Sequence, residues 1–405
     1  MTGAPGTRIA EGPSATTLFS EGFRIFFPAA GVFAAVAIPF WTIAFLNGWS
    51  ADGAATIRLW HAHEMYFGYA IAALAGFLLT AMPNWTGAPA LGHPGLAVLF
   101  GLWLLGRVAM AASVALGQSA IAFADLLFPA VLVIYAAGVL WRAGNRRNLV
   151  ICAVVAVIVA ADLVFHLALL DVLQVSPQAA LGAVLNAFIL LIALIGGRVV
   201  PAFTKNALAQ AGRPRPMRTN RWLDAISLVT TACILPVDLL APETHGAAAV
   251  TLIAALANTL RFLTWQTERT LGSPILWVLH LGYFWLIAGL YMKGLAASLP
   301  ALAGLVWVHA LSVGAIGTMT LAIMTRAALG HTARPLRAAP ATVGAYALVS
   351  LGALARIIAP ELPGEWFAPA LAAAGSAWAL SFALFLYVYL PICAAPRLGA
   401  QNEDA

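Results

Sequence analysis

Residues Trp60–Gly87 read WHAHEMYFGYAIAALAGFLLTAMPNWTG. From 63 to 82 the stretch is apolar for about the 20 residues that an α-helix needs to cross about 30 Å of hydrocarbon, yet it opens on two histidines and a glutamate. The same test, moved outward along the chain, finds eleven further windows, at about 25–46, 95–114, 120–140, 149–170, 178–199, 222–240, 246–265, 274–292, 302–325, 343–359 and 367–390. None alternates with a period of two, which excludes a β-barrel. The sequence therefore predicts an all-α, polytopic membrane helix bundle of about twelve transmembrane helices. Its organisation is a segment 1–24, one transmembrane domain over 25–390 and a tail 391–405.

Composition agrees. Of 405 residues, 62% are hydrophobic and only 9% charged, against about 25% charge in soluble domains. That excludes a soluble enzyme, a disordered tail and a nucleic-acid binder. Thirty-five glycines and 13 tryptophans suit packed membrane helices with interfacial aromatic rings. The three cysteines, Cys152, Cys233 and Cys393, lie in separate apolar stretches without a CxxC, so neither a disulfide framework nor a thiolate metal site is indicated. The first residues, with Arg8 and Glu11 and no apolar run, do not read as a signal peptide.

The net charge of +6 bears on orientation. Loops after even-numbered spans carry Arg142, Arg146, Arg147, Lys205, Arg213, Arg215, Arg218, Arg221, Arg269, Arg326, Arg334 and Arg337, whereas loops after odd spans offer only Arg58, Lys293 and Arg356. By the positive-inside rule both termini are expected in the cytoplasm. The basic run 205–221 is read as this topology signal, with contact to anionic membrane lipid the alternative.

An internal echo runs through the chain. Span six ends GGRVVPAFTKNAL (Gly196–Leu208) and span ten ends GTMTLAIMTRAAL (Gly317–Leu329), each with a glycine ahead of a Thr-Lys/Arg-x-Ala-Leu exit; span two has the looser Gly76, Thr80 and Pro83-Asn84-Trp85-Thr86. A four-helix unit repeated three times places spans two, six and ten in equivalent positions.

Ionisable side chains within spans are functional candidates, because lipid disfavours them. His93, His245 and His331 fall in loops. His61 and His63 stand at the entrance of span two; two residues apart on a helix point about 200° apart, so they cannot serve one ligand from the same face. By the same geometry Glu64 and Met65 go with His61, and Phe67 with His63. His309 lies inside span ten, which enters from the same side, and His280 lies inside span nine, which enters from the other. His166, with Asp162 one turn earlier and Asp125 on span four, forms another polar group. Imidazole without thiolate suits haem iron, copper or zinc; interhelical hydrogen bonding is the plain alternative. Gly68, Gly76, Gly282, Gly314 and Gly317 leave room for a flat macrocycle or for close helix packing. Arg198, beside a helix break expected at Pro201, pairs in this reading with Arg107 to hold a propionate or another anion. No P-loop, HExxH, GxSxG or GxGxxG stands in the required setting.

At these residues the chain resembles the NnrS family. The resemblance is carried by Trp60–Gly87, GGRVVPAFTKNAL, HALSVGAIGTMTLAIMTRAALGHTARPL (His309–Leu336), the opening FSEGFRIFFPAAG (Phe19–Gly31) and HLGYFWLIAGL (His280–Leu290), with Ala333 where glycine is expected. It implies a multi-pass protein of the bacterial inner membrane that contains haem b and copper and acts in the response to nitric oxide, protecting cellular iron from nitrosative stress. On this reading haem is bound by His309 with His61 or His63, Arg198 is a cofactor contact, and His280, His166 and Glu64 are the metal candidates. The partners expected are nitric oxide and, for electron transfer, a donor. Histidines on spans two and ten also make the chain similar to the catalytic subunits of haem–copper oxidases and nitric oxide reductases. Spans six and seven, however, contain no histidine, which argues against their binuclear centre. Whether it is an oxidoreductase stays open, with a nitric oxide reductase-like enzyme and a transporter of a metal or metal complex as the alternatives.

Overall fold

In the computed structural model the described residues are 15–49, 57–213, 220–299, 302 and 304–399. Among them there is no strand, and 12 helices are long and apolar enough to cross a membrane. They are Gly22–Leu46, Ile57–Thr86, His93–Ala111, Gln118–Arg142, Arg146–Leu169, Pro177–Gln210, Arg221–Leu240, His245–Trp265, Pro274–Leu295, Val306–His331, Pro340–Glu361 and Gly364–Ala394, numbered here as spans one to twelve. Each overlaps one window of the sequence reading. Several starts carry the expected signals: Ser176, Thr244 and Asn145 accept backbone N–H groups of the turn they open, and Pro177, Pro274 and Pro340 occupy first positions.

Sequential spans pack side by side from three to six and from seven to nine, and twelve closes back onto span one. Spans two, six and ten stand inside and touch one another pairwise. In the most apolar stretch of each span, 78% of residues are buried in spans two and six and 67% in spans nine and ten, against 50% or less elsewhere. The centre is therefore built from two, six and ten, with span nine pressed against them. This matters for function because those three spans carry polar groups that lipid cannot solvate.

The three central spans share a backbone feature. Each contains a π-helical segment, Met65–Ala70 in span two, Ile192–Gly196 in span six and Ala310–Gly317 in span ten. In spans six and ten the segment ends on the glycine that aligns the two sequence echoes; in span two it ends before Gly76. Such segments widen the helix and leave carbonyls poorly paired, so in lipid they need side-chain donors. The Trp103 indole donates to Gly68 O at 3.0 Å, Arg261 Nη1 to Ala193 O at 2.7 Å, and the Thr320 hydroxyl lies 2.6 Å from Ile316 O and 3.1 Å from Gly317 O.

Two expectations are corrected. Span six does not break at Pro201: helix continues from Gly197 to Gln210 with the proline inside it. The π turn just before it changes the register, and the bare Gly197 makes room for the Arg261 guanidinium. Nor do the glycines open a slot for a macrocycle. A Cβ on Gly68 would stand 2.2 Å from the Phe33 ring, one on Gly314 2.6 Å from the Trp285 ring, and one on Gly317 2.6 Å from the Trp378 ring. Aromatic side chains already fill those gaps.

Candidate functional site

Span two divides two sites. Its first turns place His61 towards a large cavity and His63 towards the opposite side, into a buried polar cluster.

The cavity has a volume of about 1,720 Å³, well above the roughly 300–1,000 Å³ of ordinary small-molecule sites. It lies at the ends of the spans that face away from the termini. Its walls are mostly apolar and aromatic, including Ile38, Trp41, Met65, Val313, Ile316 and Trp378. His309 and His61 both line it and are near enough to interact electrostatically. The Nδ1–H of His309 donates to the Leu305 carbonyl at 2.7 Å, which fixes the proton there and leaves the Nε2 lone pair for a ligand. His61 stacks on Trp41 with ring centroids 4.2 Å apart, and its Nδ1 is buried without a hydrogen-bond partner. Such an orphaned nitrogen is rare in a folded interior.

The cavity also gathers the cations that broke the charge pattern of the loops. Arg58, Lys293 and Arg356 all line it. Lys293 pairs with Asp238, sits 3.2 Å from Asn186 Oδ1 and lies over the Trp307 ring. Arg356 acts on both His61 and His309 and forms no ion pair among the described residues. By sequence position alone these three are loop charges. Their position against the positive-inside bias was the available signal. His245, expected in a loop, also lines the cavity from the start of span eight.

The polar cluster lies where spans two, three, four and five meet. His63 Nε2 is 2.9 Å from Asp125 Oδ2 and 3.1 Å from Asp162 Oδ1. His166 Nε2 is 3.0 Å from the same Asp125 oxygen and 3.7 Å from Asp162 Oδ1. The other ring nitrogens face outer partners: His63 Nδ1 stands 3.1 Å from Glu64 Oε1, and His166 Nδ1 3.1 Å from the Gln118 carboxamide. Arg107 bonds both Glu64 and Asp125. Phe67 and Phe165 stack on His63 and shut out water. Apart from Gln118, every member is buried.

The remaining candidates fall elsewhere. Glu64 joins His63, not His61: the long carboxylate swings round to its neighbour, where Arg107 meets it. His63 is thus on the wrong side of span two to share the cavity with His309. His280 has a threonine hydroxyl at each nitrogen, Thr204 Oγ1 2.9 Å from Nε2 and Thr267 Oγ1 2.9 Å from Nδ1, and it lines neither the cavity nor the polar cluster. Arg198 donates to Asn148 at 3.1 Å. It shares no partner with Arg107 and lies outside the cavity.

Compared with protein-family models, residues 17–397 match the one described as NnrS protein. No curated protein matches the chain.

Proposed function

The chain belongs to the NnrS family, and on that premise we propose that it is a membrane protein of the nitric oxide response which binds haem b in the cavity between spans two and ten. The observation that carries this reading is the pair of imidazoles, His61 and His309, presented to one cavity of sufficient size. Haem needs one or two axial histidines from facing helices, and these two come from helices far apart in sequence. When bound, haem supplies an iron position for nitric oxide and a one-electron couple.

The residues divide the remaining work. His309, anchored through Nδ1 to the Leu305 carbonyl, is the firm ligand, since a hydrogen bond at the far nitrogen fixes ring orientation and raises basicity. His61 has no such anchor, so it marks the side that yields to a small apolar molecule. Arg58 and Arg356, which line the cavity, would hold the carboxylates of a bound macrocycle, a task guanidinium groups match in both charge and geometry. Trp41, Met65 and Trp378 line the cavity and would exclude water from a bound ring. Nitric oxide is apolar and reaches such a cavity through lipid without a polar channel. Held there, nitric oxide would be kept from cellular iron.

The absorption spectrum of the purified protein tests this. Wild type is expected to show a Soret band with about one haem per chain, His309→Ala to lose it, and His61→Ala to keep haem with an altered ligand spectrum and faster nitric oxide binding. A wild-type band unchanged in both variants overturns the assignment.

A further inference from the structure

The buried cluster behind His61 is not needed to hold a haem, and its chemistry is incomplete as it stands. We propose that His63, Asp125, Asp162 and His166 form a second centre that binds one divalent first-row transition-metal ion. The site is independent of the cavity, although span two supplies a ligand to each.

Four observations carry it. One donor atom from each of the four residues lies within 4.8 Å of the other three. Donors about 2.1 Å from a tetrahedral ion stand about 3.4 Å from one another, and the four imidazole–carboxylate separations here are 2.9, 3.1, 3.0 and 3.7 Å. Second, His63 faces carboxylate oxygens with both ring nitrogens. A neutral ring has a single N–H, so the second nitrogen can face its carboxylate only if it carries a second proton or a metal cation sits between them. Third, Asp162 Oδ2 is buried with no hydrogen-bond partner, on a residue that is 0% exposed and whose other oxygen points into the cluster. Fourth, Glu64, Asp125 and Asp162 set three negative charges against the single Arg107. With both imidazoles neutral a formal charge of −2 is left inside the membrane, and one divalent cation cancels it.

The surroundings have the form of a metal site's outer layer. Glu64 faces the far nitrogen of His63, and the Gln118 carboxamide faces that of His166, so each ring is oriented with Nε2 inward. Arg107 braces Glu64 and Asp125 from outside. Two imidazoles and two carboxylates suit copper, zinc, iron or manganese, with Cu²⁺ bound most tightly by the general order of affinities.

The test uses full-length purified protein, stripped with a chelator and reloaded with Cu²⁺ or Zn²⁺, with metal measured by mass spectrometry and haem measured on the same samples. Wild type is expected to take up about one non-haem ion per chain, with nitrogen coupling in the Cu²⁺ paramagnetic resonance spectrum. Asp162→Asn and His166→Gln are expected to weaken loading at least tenfold, and His280→Ala to leave it unchanged. Gln118→Ala, outside the ligand set, is expected to weaken it by about 10- to 100-fold and guards against ligand variants that fail to fold. A wild type that takes up neither ion, or an Asp162→Asn protein that loads like wild type, overturns the proposal and leaves a cluster balanced by protons. Loss of the ion with haem retained, or of haem with the ion retained, separates failure of this centre from failure of the cavity assignment.

Discussion

Arg107 shows how much one residue can carry in this molecule. Its guanidinium is the single positive group between Glu64 and Asp125, and all three are buried. Removing one partner of a buried ion pair leaves uncompensated charge and costs about 3–5 kcal/mol. Arg107→Ala is therefore expected to lower the thermal unfolding midpoint of the detergent-solubilised protein sharply. Arg107→Lys should recover only part of the loss, because an ammonium cannot span two carboxylates as a fork does. A midpoint within a degree of wild type for the alanine variant would show that the network is not what holds these spans. The opposition of His61 and His63 was legible in the sequence, since two residues on a helix face away from each other. The side chosen by Glu64 was not, because helical angle fixes where Cβ points, whereas a flexible carboxylate goes where its counter-charge stands, and Arg107 belongs to another span.

The π segments of spans two, six and ten occupy the middle of the bundle, and two of them end on the glycines that align the sequence echoes. The echo was legible from Gly196 and Gly317 with their matching Thr-Lys/Arg exits. The widened turns were not, because α and π helices draw on the same apolar residues and differ only in which carbonyl each N–H finds. Their donors can be tested. Trp103→Phe keeps an aromatic ring but removes the N–H that reaches Gly68 O together with the five-membered ring that carries it, and an unsatisfied buried carbonyl costs about 1–3 kcal/mol. The same turn is packed without slack, since a Cβ on Gly68 would meet Phe33 at 2.2 Å, and overpacking of this kind costs about 1–3 kcal/mol. Denaturation of the two variants in detergent should thus give losses of similar size, with Gly68→Ala but not Trp103→Phe partly rescued by Phe33→Leu. A Gly68→Ala protein as stable as wild type would mean that Phe33 moves aside freely.

For the whole molecule the number of spans and the distribution of charge decide which way the cavity faces. Twelve spans put both described ends of the bundle on one side. The cations at that side sit in the loops and helix ends next to spans four, six, eight and ten, while Arg326, expected in a loop, is held inside span ten over the Phe203 ring. The three cations at the far-side loops and helix ends, Arg58, Lys293 and Arg356, all line the cavity, while Arg107 on the same side is held in the buried cluster. Even with these three on the far side, the charge bias still favours the termini side. On this charge bias we propose the orientation with the termini in the cytoplasm and the cavity towards the outer face. Reporter fusions settle it. Alkaline phosphatase, active only outside, should be active when joined after Gly117 or Ala241, and inactive after Gly144, Gly272 or Leu398. The reverse pattern would turn the cavity towards the cytoplasm, and an electron donor or source of nitric oxide would then have to be sought on that side.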